Sequence, residues 1–299
     1  MRHTIAWRLG AIVCGVAGLA ACQRRAPVAP LAPAAHYVVG PAWQGAGGAW
    51  FYPQEQSAFE ATGLAVIDQT SAGTRTADGE IYDPAAVVAA VQTLQLPSVI
   101  QVHDLETGRI LTVRAIGRGP AEPGRLIALS PAAARLLGMR PGEPARVAIA
   151  LQSRLSQSAA AALPGAPRVA IAAAPVGAVS EESLGPPGTI STPSAAPAAA
   201  RQAEIGQATA IPTGPAGPTE IVQGTVMPGA LFVDGGRFTV GSSAAEVAAR
   251  LGAGVTRDGI GRETVYRVLA GPFRSVSEAD AALDQARHAG VTGAHIIVE

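Results

Sequence analysis

The stretch Val99-Ile-Gln-Val-His-Asp-Leu105, Glu106-Thr-Gly-Arg109, Ile110-Leu-Thr-Val-Arg-Ala-Ile116 reads as two strands joined by a short hairpin. Gly108 supplies the left-handed position that such a loop needs. Working outward, strand-like runs recur at 62–68, 125–129 and 145–151. Between the last two, Ser130-Pro131 opens a helix that Gly138 closes, with Ser as N-cap, Pro in the first turn and Gly as C-cap. Short strands with one or two small helices predict a compact β-barrel over this region. An aromatic cluster, Trp50-Phe51-Tyr52-Pro53, stands at its entrance, with patterned sequence starting at Trp43.

Further out, the chain loses its capacity to fold. Residues 156–220 hold 19 Ala and 10 Pro and no aromatic residue. Such a stretch cannot bury enough apolar surface to offset its ordering entropy, so it reads as a disordered linker, with a mean span of roughly 45–50 Å if flexible. Residues 23–41 are also Ala/Pro-rich and read as a tether. The first residues are a leader: Arg2 and Arg8 precede an apolar run over 9–21 that is too short to span a bilayer. It ends Leu19-Ala-Ala-Cys22, which resembles a bacterial lipobox, so Cys22 is expected to be acylated after cleavage and to anchor the chain in a membrane. Gln23, in place of an inner-membrane retention Asp, points to the outer membrane, with the protein facing the periplasm.

Composition excludes much else. The chain of 299 residues carries 22 Lys plus Arg, all of them Arg, against 22 Asp plus Glu, so no net field draws it to nucleic acid. With Cys14 in the leader and Cys22 acylated, no thiol remains for catalysis, disulfides or zinc. The five His residues show no metal-ligand spacing, and neither a metal nor an organic cofactor is expected.

The last 70 or so residues regain pattern. Strands are expected at 230–238, 254–257, 264–270 and 294–298. Helices are expected at 243–251, with Ser243 and Glu246 as a capping box, and at about 277–289, started by Ser277 and Asp280. The order is βαββαβ in two similar halves, Val233-x-x-Gly236-x-Phe238 and Val268-x-x-Gly271-x-Phe273. Both helices on one face of a four-stranded sheet would leave the other face open to a ligand.

The segment Gly73-Thr-Arg-Thr-Ala-Asp-Gly-Glu-Ile-Tyr-Asp83 resembles the G-R-x-T-A-x-G-E-x-Y-D signature of the rare lipoprotein A family, septal lytic transglycosylases. Gly48–Pro53, Glu60-Ala-Thr-Gly63, Thr93–Pro97, Leu105–Arg109 and Arg118-Gly-Pro120 follow in that family's order. The resemblance implies a double-psi β-barrel. The tail, through Tyr266–Phe273 above all, resembles a sporulation-related repeat (SPOR) domain. The expected plan is mainly β plus α+β: leader 1–21, tether 22–42, barrel 43–151, linker 152–228 and SPOR domain 229–299.

The resemblance also implies a site. The family's Glu is present as Glu80, but its His position is Val91 and its Asp position is Gly117. The A-S-W-Y strand reads Ala65-Val-Ile-Asp68, without its aromatics, and the Asp of R-I-I-D-L-S is Ala128. Lytic transglycosylation needs a positioned carboxyl group to trade protons, and losing one proton-transfer group typically costs about 100- to 10,000-fold. Glu80 is the one catalytic candidate left, with Asp78 and Asp83 as like-charged neighbours able to raise its pKa; the alternative is that Glu80, Tyr82 and Asp83 serve the loop's hydrogen bonds. In the SPOR sheet, Phe232, Phe238, Tyr266 and Arg267 are candidates to meet glycan, although about half of alternating strand residues must face inward. The resulting expectation is an outer-membrane lipoprotein whose SPOR domain binds peptidoglycan strands stripped of stem peptides, with a degenerate barrel. The alternatives are an active transglycosylase running on Glu80, and a pure interaction protein whose barrel recognises another cell-wall protein and never a glycan; divisome proteins are candidate partners.

Overall fold

The computed structural model describes residues 32–167, 221–259 and 264–299. The leader, Cys22 and residues 168–220 lie outside the described residues. A two-stranded hairpin, β1 (Trp43–Gln44) and β2 (Trp50–Phe51), leads into the barrel. The barrel strands are β3 (Glu60–Ile67), β4 (Val88–Val91), β5 (Ser98–Asp104), β6 (Arg109–Arg118), β7 (Ile127–Leu129) and β8 (Ala145–Leu151). They run β4-β7-β3-β8-β5-β6, and β6 returns to β4, closing a six-stranded mixed barrel. Two pairings are parallel, β3 with β7 and β4 with β6, and the barrel is of the double-psi type.

The expected hairpin over residues 99–116 is present, with Gly108 at φ +74°. So is helix α1 (Pro131–Leu137), where the Ser130 side chain accepts from the Ala133 amide and Gly138 closes the helix in the left-handed region. β4 leaves no signal in the sequence. Its Val88-Ala-Ala-Val91 is buried on both faces and shows no alternation, so no period-two signal marks it. Ordered structure also continues past Leu151. Helix α2 (Ser153–Ala160) follows at once, and its Ser156 hydroxyl accepts from the Val99 amide at 2.8 Å. The core is aliphatic, built from Leu96, Ile100, Val102, Leu111, Ile127, Leu129 and Leu137, each almost fully buried. At about 1.5–3 kcal/mol per such side chain this cluster is the barrel's main source of stability.

Strand β9 (Ile221–Gln223) adds to the edge of β6, and the chain then enters the second domain. Its elements are β10 (Leu231–Phe238), α3 (Gly241–Leu251), β11 (Gly254–Asp258), β12 (Val265–Phe273), α4 (Val276–His288) and β13 (His295–Val298). The expected βαββαβ order is observed, and the sheet runs β11-β12-β10-β13, all antiparallel. Two caps differ from expectation. α3 starts at Gly241, so Ser243 falls inside its first turn and caps nothing, and Glu246 instead pairs with Arg250 at 2.5 Å. α4 is capped by Ser275, whose hydroxyl accepts from the Glu278 amide at 3.2 Å, while Glu278 Oε2 accepts from the Arg274 amide. The Ser and acidic residue that start α4 are thus Ser275 and Glu278, two residues before the expected Ser277 and Asp280.

The two domains touch. Leu64 and Leu105 of the barrel share one buried cluster with Leu231, Leu283 and Ile296. Arg125 donates to both carboxylate oxygens of Asp280 on α4, at 2.7 and 2.8 Å. The Val298 amide donates to Thr62 Oγ1 on β3 at 3.2 Å.

Candidate functional site

The signature segment folds as a small hairpin. Gly73 N donates to Tyr82 O at 2.9 Å, Tyr82 N to Thr74 O at 2.8 Å, and Thr76 N to Glu80 O at 2.8 Å. Tyr82, 4% exposed, anchors it by packing on Val88 and Ile116. Asp83 caps the exit by accepting from the Ala85 amide. At the tip, Asp78 N donates to Ile116 O on β6 at 3.3 Å, which brings Glu80 beside the strand that carries Gly117. Val91, on β4, pairs with Arg118, and Ala90 with Gly117. The three positions implied by the resemblance therefore converge in space.

What fills them is another matter. Val91 is 2% exposed and belongs to the barrel core. A Cβ on Gly117 would sit 3.3 Å from that of Ala90. Glu80 is engaged by Arg114, which pairs with both carboxylate oxygens, the Nη2–Oε2 contact at 2.6 Å. Its nearest charge is thus a cation, rather than the like-charged Asp78 and Asp83 that the sequence places beside it. Arg114 sits on β6 facing the hairpin, a pairing across 34 residues that no local pattern marks.

Asp78 is the unusual group. It is fully buried; its Oδ1 accepts from Thr76 Oγ1 at 2.6 Å and from the Glu80 amide at 3.2 Å, while Oδ2 has no partner. Burial pushes its pKa up to about 6, opposed by the Thr76 hydroxyl and assisted by the Glu80 charge. A strap from the N-terminal segment covers it. Ala34 N donates to Gly79 O and His36 N to Asp78 O, at 2.9 and 2.8 Å, and Val38 bridges Leu96. The guanidinium of Arg118, the Arg of Arg-Gly-Pro, is spent on the carbonyls of Leu94 and Val39, and burial lowers its pKa to about 10. Residues assigned to a tether are therefore fastened across the signature hairpin.

In the second domain the structure separates the four glycan candidates. Phe238 and Tyr266 are cross-strand partners that pack on Ala244, Ala248 and Val268, on the side covered by α3. Phe232 and Arg267 alternate with inward residues and lie on the opposite side of the sheet. There Arg267 Nε donates to Asp234 Oδ2 at 3.0 Å, and a second nitrogen pairs with Glu299. The described residues hold no cluster of three metal-ligating side chains.

Residues 47–149 match the family model described as lytic transglycolase, and residues 230–297 match that of the SPOR domain. The chain is 45% identical over 82 residues to the endolytic peptidoglycan transglycosylase RlpA of Yersinia pestis. It is 43% identical over 82 residues to the protein of that name from Escherichia coli K12, and 44% identical over 77 residues to the one from Pseudomonas aeruginosa PAO1. These segments cover 27, 27 and 26% of this chain, and 23, 23 and 22% of the three relatives. The chain thus spans about a quarter of the length of the curated relatives it matches.

Proposed function

We propose that this chain, which matches the RlpA family over its barrel and carries a C-terminal SPOR domain, is a peptidoglycan-binding protein of the periplasmic cell envelope. In this reading Cys22 is acylated and holds it to the outer membrane. The SPOR sheet binds glycan strands, those stripped of stem peptides above all, through the side that carries Phe232 and Arg267. The barrel keeps the transglycosylase fold without its chemistry and serves as scaffold and binding module, at sites of septation among others.

One observation carries the reading of the barrel. Where the family places its acid–base groups, this chain has Val91 in the core, Gly117 without a side chain, and Glu80 held by Arg114. Cleaving a glycosidic bond by 1,6-anhydro ring closure needs a group that gives a proton to the leaving oxygen and one that takes it from the attacking hydroxyl. With both Glu80 oxygens turned to a guanidinium, neither is presented to a sugar.

The test incubates the soluble chain from Gln23 onward with sacculi freed of stem peptides, with Glu80→Gln as control. Mass spectrometry looks for anhydromuramyl ends, and sedimentation measures binding. Binding without anhydro products is the expected result. Products that vanish with Glu80→Gln would make the barrel an enzyme.

A further inference from the structure

Among the described residues the exposed aromatic side chains are Trp50 and Tyr52, at 55 and 62% exposure. Trp50 lies in β2 and Tyr52 follows directly after the strand, while Phe51 between them is half-buried and stacks on Trp43 at 4.6 Å. Trp43 is fixed in turn, its indole Nε1 donating to Gln92 O at 3.0 Å. The two exposed rings therefore stand on a rigid base.

That base adjoins the positions discussed above. Gln92 follows Val91 directly, and its amide nitrogen donates to Pro120 O and Arg125 O at 3.0 and 2.9 Å. Ala46 N donates to Ala121 O at 2.8 Å. On the other flank, Arg287 of α4 donates to Gly47 O at 2.6 Å. The hairpin is thus pinned between the end of β4, the loop after Arg118 and the SPOR domain.

We infer that Trp50 and Tyr52 form a sugar-stacking platform that binds a glycan strand beside the barrel. The inference rests on the proposed function and adds a second contact to it, on the barrel side of the seam. A pyranose ring offers an apolar C–H face and a polar rim. Two exposed rings with free polar edges match both, and they cost little ordering entropy because the hairpin beneath them is already held. The platform also replaces what the β3 strand lacks, since Ile67 and Asp68 stand where the resembling family has its two aromatics.

The chain provides its own reporter. From Gln23 onward the only tryptophans are Trp43 and Trp50, both in this hairpin, and the SPOR domain has none. The experiment titrates the soluble chain with short peptide-free oligomers of alternating N-acetylglucosamine and N-acetylmuramic acid, reading tryptophan fluorescence, with sacculus sedimentation in parallel. The expected result is a saturable change whose midpoint moves about 3- to 10-fold higher in Tyr52→Ala. Sedimentation without any fluorescence change, or a change indifferent to Tyr52→Ala, overturns the platform and leaves the proposed function standing. Loss of sedimentation itself overturns the proposed function. A fluorescence change that depends on protein concentration without sugar assigns the patch to a second copy of the chain, and also overturns the platform.

Discussion

Arg114 closes on Glu80 from β6, across the width of the signature hairpin, so the residue most expected to do chemistry is a strut between hairpin and barrel. Both side chains are less than one third exposed, at 29 and 19%, so removing one partner leaves the other poorly compensated. Glu80→Gln should cost about 1–2 kcal/mol of stability in urea unfolding, and Arg114→Met a similar amount, with the double variant less destabilised than the sum. A carboxyl kept for catalysis would show the reverse, a Gln variant at least as stable as the wild type.

Asp78 sets a pH dependence of known sign. Its carboxyl titrates near 6 in the folded protein against an ordinary value of 3.8, so folding takes up a proton between these values. Stability contributed here falls as pH rises through that window, and the cost is fully present above it. Asp78→Asn keeps an acceptor for Thr76 and the Glu80 amide. It should therefore stabilise the protein by about 2 kcal/mol at pH 8 and by close to nothing at pH 3. Urea midpoints at both pH values decide; equal gains would mean that burial is not the cause.

The strap over the hairpin depends on Gly79, which sits at φ +85° with Ala34 O only 2.2 Å from where a Cβ would be. Gly79→Ala forces the strap away as well as straining the turn by about 1–2 kcal/mol. The amides of Ala34 and His36 should then exchange with solvent at least about tenfold faster, a loss of roughly 1.4 kcal/mol of local protection. Val38 and Leu96, held to each other further along, should change less. Unchanged exchange at Ala34 and His36 would remove the strap from the account.

Arg125 and Asp280 tie the barrel to α4, with side-chain exposures of 15 and 35%. Asp280→Arg sets two guanidinium groups against each other and should open the domains, raising the radius of gyration in solution scattering. Adding Arg125→Glu should restore it, with a coupling of about 1–2 kcal/mol in a double-mutant cycle. A radius indifferent to both changes would show that the apolar contacts of Leu64 and Leu105 suffice.

The sequence disclosed elements whose periodicity or punctuation is local. β8 has the expected bounds, because Ala145–Leu151 alternates and ends at a helix start. α1 is announced by Ser130, Pro131 and Gly138. β4 was not legible, since a strand buried on both faces carries no alternation. At the site, Glu80, Val91 and Gly117 were identifiable one by one through the resemblance. The partner that decides the state of Glu80 was not, because Arg114 looks like any outward residue of a strand and only barrel closure brings it across. Phe232, Phe238, Tyr266 and Arg267 show the same limit. Alternation says that half must turn inward, but the register shift in β10 between Asp234 and Gly236 helps decide which.

The Ala/Pro stretch has both of its ends on the same body. Upstream, Tyr37 N donates to Pro164 O at 2.9 Å; downstream, Ile221 pairs with Leu111 on β6, and Gly224 N donates to Gly108 O. From there the chain is pinned again, Met227 N to Leu105 O and Arg146 to Gly229 O, before it enters the SPOR sheet. The path from barrel to SPOR sheet therefore runs through residues 224–230, which the barrel itself holds. Residues 224–230 set the distance from barrel to sheet, and in the proposed reading a glycan strand held by one domain is presented to the other at a fixed offset.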